Sequence, residues 1–208
     1  TSTDETTDAW DTIDWLVKNV AGHNGKVGIW GTSYPGWLVL AALRDPHPAL
    51  AAAIPANPVV DVWKADDWFH WGAFRIGYAF DYIYAMETRH GTPVQYPYET
   101  RDLYSWLLPL GSAELLGRRL GGQHKMWARL LEQPSYGPYW RDCAADRWFD
   151  SPPRIVPTLH VHGLWDQEDI YGAPAAYAAL ERHDRDNRRN YFAIGPWYHG
   201  GHYDDGGS

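Results

Sequence analysis

The stretch KVGIWGTSYPG, residues 26–36, predicts a strand, a sharp turn and the start of a helix in immediate succession. Residues 26–30 form a short apolar run bounded by glycines, which is typical of a buried strand. Pro35 fits the first turn of a helix, where its missing N–H is not needed. The helix would continue over residues 37–44. A strand that leads directly into a helix is the building unit of an α/β fold.

The turn carries a candidate nucleophile, Ser33, in the pattern Gly31-x-Ser33-x-x-Gly36. A sharp strand-to-helix turn strains the serine backbone and projects its hydroxyl above the sheet, and small residues on each side let the chains pass. The N–H of Tyr34, at the start of the helix, would then point to where an oxyanion forms. A serine among turn glycines can also be a plain helix cap, so these six residues leave both interpretations open.

Working outward, the two ends of the chain alternate helices and strands. The predicted elements are helices over residues 9–20 and 173–182, and strands over residues 51–54, 158–163 and 190–195. Such alternation favours an α/β fold with a mostly parallel sheet.

The middle of the chain differs, because residues 57–155 hold most of the aromatic side chains and show no strand–helix alternation. We therefore predict an α/β core formed by residues 1–56 and 156–208. The intervening residues, 57–155, would form an inserted, mainly helical cap.

Composition excludes several classes of protein. The 208 residues carry a net charge of -8 without a basic patch, so nucleic acid is not expected as a partner. No apolar run approaches the ~20 residues that cross a bilayer. The single cysteine, Cys143, rules out an internal disulfide framework and a multi-cysteine metal site.

The order of three residues strengthens the nucleophile interpretation of Ser33. In α/β-hydrolases the triad runs serine, then an acid, then histidine. Asp166 comes just after the predicted strand 158–163, and His199 follows the strand 190–195 on a glycine-bracketed loop. We therefore predict that His199 takes the Ser33 proton, and that Asp166 orients the imidazole and stabilises its charged form.

A dense group of acids lies beside this predicted base. Asp166, Glu168 and Asp169 place three carboxylates within four residues, and like charges so close are unfavourable unless a cation joins them. The ammonium group of a substrate would be such a cation. A solvated acidic loop is the alternative interpretation.

A second pair of residues suggests a different chemistry. His160 and His162 lie two apart on a predicted strand and so face the same side, as metal ligands can. Little chain remains after them for further ligands, so a pair packed in the core is the favoured interpretation. A metal-dependent hydrolase is the weaker alternative.

Four segments of the sequence resemble the α-amino-acid ester hydrolases, which belong to the wider X-prolyl dipeptidyl-peptidase and cocaine-esterase-like serine hydrolases. The matching segments are GTSYPG (31–36), DDWFHWGAFR (66–75), HGLWDQEDIYG (162–172) and GPWYHGG (195–201). The similarity runs in one order over essentially the whole chain.

The resemblance implies an α/β-hydrolase fold and a Ser33–Asp166–His199 triad. It further implies that Asp67, Glu168 and Asp169 bind the α-ammonium group of the substrate. The expected substrates are amino acid esters, with β-lactam nuclei as acyl acceptors, and neither a cofactor nor a metal is implied.

The resemblance also implies parts that this sequence does not supply. In this fold several strands normally precede the nucleophile, whereas one predicted helix precedes residue 26 here, so we expect an internal piece of a longer protein. The family carries a second oxyanion donor, a tyrosine, upstream of the turn, and a jelly-roll domain after the hydrolase domain. It favours a bacterial periplasmic or secreted protein and leaves a homo-oligomer open.

Two kinds of alternative function remain at this point. One is a relative without ammonium recognition, such as an acylase, a cocaine-type esterase or an X-prolyl peptidase. The other is a non-catalytic module derived from a hydrolase, against which the intact triad argues.

Overall fold

The computed structural model describes residues 5–88, 95–120, 124–152 and 154–203. The helices are α1 (Glu5–Asn19), α2 (Tyr34–Arg44), α3 (Ile76–Glu87), α4 (Leu103–Leu107), α5 (Ala113–Arg119), α6 (Lys125–Glu132), α7 (Pro138–Cys143) and α8 (Gly172–Glu181). The strands are β1 (Val27–Thr32), β2 (Leu50–Ala56), β3 (Phe69–His70), β4 (Ala73–Phe74), β5 (Thr158–Gly163) and β6 (Asn190–Gly195). None of the described helices combines the length and the apolar character needed to cross a bilayer.

Four strands form one parallel sheet in the order β1-β2-β5-β6, which confirms the predicted α/β class. Strands β5 and β6 have the predicted bounds, while β1 and β2 run further toward their carboxyl ends, to Thr32 and Ala56. Because the strands are parallel, the turns that follow them all lie at one edge of the sheet. That edge is where open α/β sheets place their functional residues.

One face of the sheet is covered by helices. Helix α2 packs on β1 and β2, α8 packs on β5 and β6, and α1 packs on α2. The apolar core between them includes the fully buried Leu40, Leu50 and Phe149. This packing fixes the two turns at which α2 and α8 begin.

The inserted segment has its own buried cluster, in which Phe80, Trp127 and Trp140 pack together. Its described part contains the helices α3 to α7 and the small antiparallel hairpin of β3 and β4. These two-residue strands are too short to show an alternating pattern in the sequence. Two residues of the segment, Ala145 and Phe149, pack into the core beneath the sheet and not into this second cluster. The predicted limits of the inserted segment, residues 57 and 155, stay predictions.

The opposite face of the sheet carries a row of exposed apolar side chains across all four strands. Trp30 of β1 is paired with Ile54 of β2, and Leu159 of β5 is paired with Tyr191 of β6. The register between β2 and β5 places Ile54 next to Leu159, so the four side chains form one continuous row. Trp30 is 65% exposed and Tyr191 50%. A continuous apolar row of this kind is characteristic of a surface that packs against something else.

Candidate active site

Ser33 lies in the turn between β1 and α2 with a strained backbone, at φ 66° and ψ -129°. Its N–H faces the carbonyl oxygens of Ala56 and Asn57 at 3.0 and 3.1 Å, and its own carbonyl accepts from the N–H of Trp37 at 3.1 Å. Such a conformation costs about 1–3 kcal/mol and persists only where its surroundings enforce it. The Ser33 side chain makes no capping bond to α2, which favours the nucleophile interpretation over the cap.

The glycines that flank Ser33 are required by close approaches. A Cβ atom on Gly31 would lie 2.5 Å from the Pro35 carbonyl oxygen, and one on Gly36 would lie 2.8 Å from the Ala56 carbonyl oxygen. Both distances are too short for any side chain. The second glycine therefore stands at position 36 because that residue crosses the end of β2.

Asp166 follows β5, and hydrogen bonds fix its fully buried carboxylate from several sides. One oxygen, Oδ1, accepts from the backbone N–H groups of Glu168 and Asp169 at 2.8 and 2.9 Å. The other, Oδ2, lies 2.5 Å from Asn57 Nδ2 and 2.9 Å from His199 Nδ1. Burial opposes its charge, but the hydrogen bond from His199 and those from the backbone outweigh burial and lower the Asp166 pKa.

His199 lies on the loop after β6, and its imidazole faces carboxylates on two sides. Burial disfavours the imidazolium, but the hydrogen bond to Asp166 and the nearby acids outweigh it, so the His199 pKa is raised. The residues after His199 return across the sheet edge to β1. There the Thr32 hydroxyl lies 3.4 Å from His202 Nε2 and also bonds the Tyr203 hydroxyl.

This return brings the histidine loop into contact with the residue that precedes Ser33. In the described part of the chain, however, no hydrogen bond joins the Ser33 hydroxyl to His199, whose Nε2 lies 3.6 Å from Glu168 Oε2. Catalytic hydrogen bonds are often long without substrate and tighten when it binds.

The N–H of Tyr34 is the first of α2 and has no acceptor within the helix. It is therefore free to donate to an oxyanion, as the predicted role of Tyr34 requires.

Asp67 and Glu168 lie side by side although the sequence separates them widely. The N–H of Asp67 donates to the Glu168 carbonyl at 2.9 Å. The backbones of Asp66 and Asp169 form an isolated antiparallel β-bridge. The Tyr78 hydroxyl of α3 lies 3.1 Å from Asp67 Oδ1 and 2.5 Å from Glu168 Oε2. The three acids implied by the resemblance are thus gathered beside His199.

Asp169 is the most unusual member of this carboxylate cluster, which comprises Asp67, Glu168 and Asp169. Its side chain is fully buried, and neither of its oxygens has a hydrogen-bond partner among the described residues. His199 Nδ1 lies 3.8 Å from Asp169 Oδ2. Burial, together with the neighbouring acids, holds the pKa of Asp169 well above its usual range and raises that of Asp67 to about 6.

The arginine beside the cluster, Arg75, is engaged elsewhere. The Arg75 guanidinium donates to the backbone carbonyl of Asp67 at 2.8 Å and lies over the ring of Tyr78, 4.6 Å from its centroid. Among the described residues it forms no ion pair with the carboxylates. A cationic ligand would favour the ionised forms of these acids, so the cluster suits such a ligand.

The candidate metal ligands His160 and His162 are both buried on β5. His160 is fully buried on β5, and its Nε2 lies 3.0 Å from Asn190 Oδ1. Burial lowers its pKa to about 4. His162 stacks on Phe192. The part of the chain that the structure describes contains no group of three or more potential ligands with the geometry of a metal site.

Two residues of the site have no counterpart in the sequence predictions, Asn57 and Tyr78. Asn57 comes directly after β2, which is the position at a sheet edge where polar side chains collect. That position could have identified it. Tyr78 lies within an aromatic-rich helix, where nothing in the sequence distinguishes it from the tyrosines of the core.

Comparison with protein families gives one match over nearly the whole chain. The profile of the X-Pro dipeptidyl-peptidase (S15) family matches residues 1–201. A comparison with curated proteins finds no significant match.

Two solved structures are similar in both sequence and fold. A selenomethionine-labelled α-amino acid ester hydrolase is 44% identical over 96% of this chain, with a TM-score of 0.89. An aminopeptidase from a marine sediment Thaumarchaeota archaeon is 41% identical over 96%, with a TM-score of 0.90. The chain spans 32% and 33% of those two proteins. A Pyrococcus horikoshii acylaminoacyl peptidase shares the fold alone, at 16% identity over 98% of this chain and 25% of its own, with a TM-score of 0.52.

Proposed function

The chain belongs to the X-Pro dipeptidyl-peptidase (S15) family, and from this premise we propose that it carries the catalytic and ammonium-binding groups of a serine hydrolase acting on α-amino acid esters. The observation that carries the proposal is the carboxylate cluster beside His199. Asp169 is buried there with both oxygens unpartnered among the described residues. A substrate ammonium would supply the missing donors and the missing positive charge.

The reaction begins with acylation of Ser33. His199 Nε2 accepts the Ser33 hydroxyl proton as the oxygen attacks the ester carbonyl, and Asp166 stabilises the resulting imidazolium. The Tyr34 N–H donates to the oxyanion of the tetrahedral intermediate. When the intermediate collapses, His199 returns the proton to the departing alcohol, and the acyl group remains on Ser33.

Deacylation repeats these proton transfers with a second nucleophile. A water molecule gives a proton to His199 and attacks the acyl carbonyl, and the Ser33 oxygen leaves with that proton. An amine that attacks in place of water would yield an amide, so the same site supports acyl transfer, with β-lactam amines as candidate acceptors.

The carboxylate cluster distinguishes this proposal from esterases and acylases that do not recognise an α-amino group. A solvated acidic loop would leave its oxygens in water, whereas Asp169 is fully buried and Asp67 nearly so. Burying several like charges without a cation is costly. A positively charged ligand bound among these carboxylates would offset that cost.

A second candidate function is release of an amino-terminal residue from a peptide, and the similarity to the archaeal aminopeptidase favours it. A free peptide amino terminus carries the same α-ammonium next to the scissile carbonyl. The two functions differ only in the leaving group. Parallel assays with an ester and an amide of one amino acid would separate them.

Removing one acid of the carboxylate cluster is expected to weaken substrate recognition more than chemistry. Asp67→Asn, Glu168→Gln and Asp169→Asn should each lower kcat/KM of the full-length protein on a phenylglycine ester by roughly 10- to 150-fold, because each removes a charge-assisted hydrogen bond. The des-amino ester should be affected little, since it brings no ammonium. Steady-state kinetics on the two esters measures the difference.

Asp81→Asn provides a matched control, because Asp81 also accepts a tyrosine hydroxyl, that of Tyr98, but lies outside the cluster. It should affect both esters alike. Equal losses on both esters for the cluster variants would reject ammonium recognition and favour a relative that acts on des-amino substrates.

The preference for the α-amino ester over the des-amino ester is expected to depend on pH. Burial raises the pKa of Asp67 to about 6, so a fall in pH through that value protonates Asp67 and weakens its hold on the ammonium. Titration of His199 affects both esters and cancels in the ratio of their kcat/KM values. The ratio should fall below about pH 6, and again at alkaline pH as the amine loses its proton.

The Asp67→Asn variant tests the acid side of this ratio directly. It lacks the Asp67 carboxyl, so its ratio should be lower throughout and should fall less steeply on the acid side. A ratio that stays constant from about pH 5 to pH 7 in the unsubstituted protein would contradict the role given to Asp67.

A further inference from the structure

Asn57 occupies the point where the nucleophile turn and the acid of the proposed triad meet. It is the first residue after β2, the strand between β1 and β5. Its side chain is fully buried. Polar side chains are rarely buried so completely unless they bind a specific partner.

The backbone of Asn57 ties the neighbouring strands together. Its N–H donates to the Val161 carbonyl of β5 at 2.9 Å, and its carbonyl oxygen lies 3.1 Å from the Ser33 nitrogen. Asn57 is thus bonded to β5 on one side of β2 and to the turn after β1 on the other. Any shift of its backbone would displace the strained turn at Ser33.

The side chain of Asn57 binds the carboxylate that faces His199. Its Nδ2 donates to Asp166 Oδ2, the oxygen that also accepts from His199 Nδ1. The two backbone donors to Asp166, from Glu168 and Asp169, bind the other oxygen. Asn57 therefore supplies the only hydrogen bond besides that of His199 to this oxygen in the described part of the chain.

We infer that Asn57 is a positioning residue that fixes the Asp166 carboxylate against His199 and links it to the backbone of Ser33. The inference rests on the proposed function, because it acts through the triad. With its amide in place, the negative charge on Oδ2 is shared between two donors. Without it, the charge on Oδ2 would act on His199 alone.

The local backbone explains why asparagine stands at this position. Asn57 has a φ of 40°, in the left-handed region that asparagine tolerates better than most residues do. Glycine would fit the backbone without the amide. Asparagine combines the conformation with a neutral donor, which leaves Asp166 as the charged group.

Loss of the Asn57 amide should move the pH profile of kcat/KM. The groups that face His199 are Asp166, Glu168 and Asp169 on the loop after β5, Asp67 on the inserted segment, and His202 on its own loop. These stay in place when Asn57 alone is changed. The more concentrated charge on Asp166 then favours the imidazolium, and the acid limb of the profile moves to higher pH.

The test compares Asn57→Gly with Asn187→Gly in the full-length protein. Asn187 has a similar φ of 50° in an exposed turn remote from the site, so its replacement controls for the backbone effect of glycine. We expect Asn57→Gly to lower kcat by about 10- to 100-fold and to shift the acid limb upward. Asn187→Gly should change neither. A loss of kcat with the limb unmoved or moved to lower pH, or no change at all, would overturn the inference.

A second variant, Asn57→Asp, keeps the shape of the side chain and serves if the glycine variant fails to fold. Two carboxyls this close share one proton, which preserves a hydrogen bond to Asp166 until the pair loses it. Asn57→Asp should therefore keep more kcat than Asn57→Gly and should gain a descending limb as pH rises. Identical profiles for the unsubstituted protein and Asn57→Asp would overturn the inference. Failure of the proposed function is recognised separately, by activity that survives replacement of Ser33.

Discussion

Replacing Ser33 with alanine is expected to reduce kcat of the full-length protein on an α-amino ester by on the order of 10⁶, the usual loss when a triad nucleophile is removed. The reason is that the acyl-enzyme cannot form, while the binding groups remain. The fold should survive, because the Ser33 side chain makes no capping bond to α2. Steady-state kinetics measures the loss of kcat, and labelling with a fluorophosphonate shows whether the nucleophile is gone. Circular dichroism shows whether the fold survives.

A true serine cap supplies the matched control for this variant. Ser112 caps α5 and accepts a hydrogen bond from the Leu115 N–H. Ser112→Ala should lower the free energy of unfolding by about 1 kcal/mol and leave turnover unchanged. A Ser33→Ala protein that keeps its activity within about tenfold, or that still takes the label at this turn, would remove Ser33 from the mechanism. It would also revive the non-catalytic alternative.

Asp166→Asn is expected to have the second largest effect, a fall in kcat of about 10⁴-fold. Asparagine nearly keeps the volume, but its amide nitrogen can take the place of an oxygen facing His199 Nδ1. The imidazole would then adopt the tautomer with its proton on Nε2, which cannot accept the proton of Ser33. The variant would also lose the negative charge that stabilises the imidazolium.

Asp184→Asn is the appropriate comparison for Asp166→Asn. Asp184 also accepts hydrogen bonds from two backbone N–H groups, those of Arg189 and Asn190, but lies before β6, at the other end of the sheet. Its replacement should lower stability without a specific effect on kcat. Similar losses of kcat in both variants would mean that Asp166 only supports the fold.

The fold was largely predictable because its information is local. The apolar runs of β1 and β6 are bounded by glycine or polar residues, and burial on the sheet requires such runs. Two glycines indicated the turn at Ser33, and both are necessary because the backbone approaches Pro35 and Ala56 closely there. In contrast, the two-residue strands of the β3–β4 hairpin leave no periodic signal.

The site was predictable only in part, since some of its contacts depend on tertiary structure. Glu168 and Asp169 stand beside Asp166 in the sequence, so their proximity could be read directly. The place of Asp67 depends on its backbone bond to Glu168 across the fold, and only the family resemblance indicated it. Tyr78 acts through the direction of one hydroxyl among many aromatic residues, which no sequence pattern encodes.

The strained backbone of Ser33 has a consequence for how this position can evolve. At φ 66° a glycine would relieve the strain, so the most stable version of this chain is not the version with a nucleophile. Selection for a longer-lived fold and selection for turnover would favour different residues at position 33. A lineage that no longer needed the hydrolase activity would be expected to drift toward glycine there, gaining thermal tolerance as it lost its chemistry.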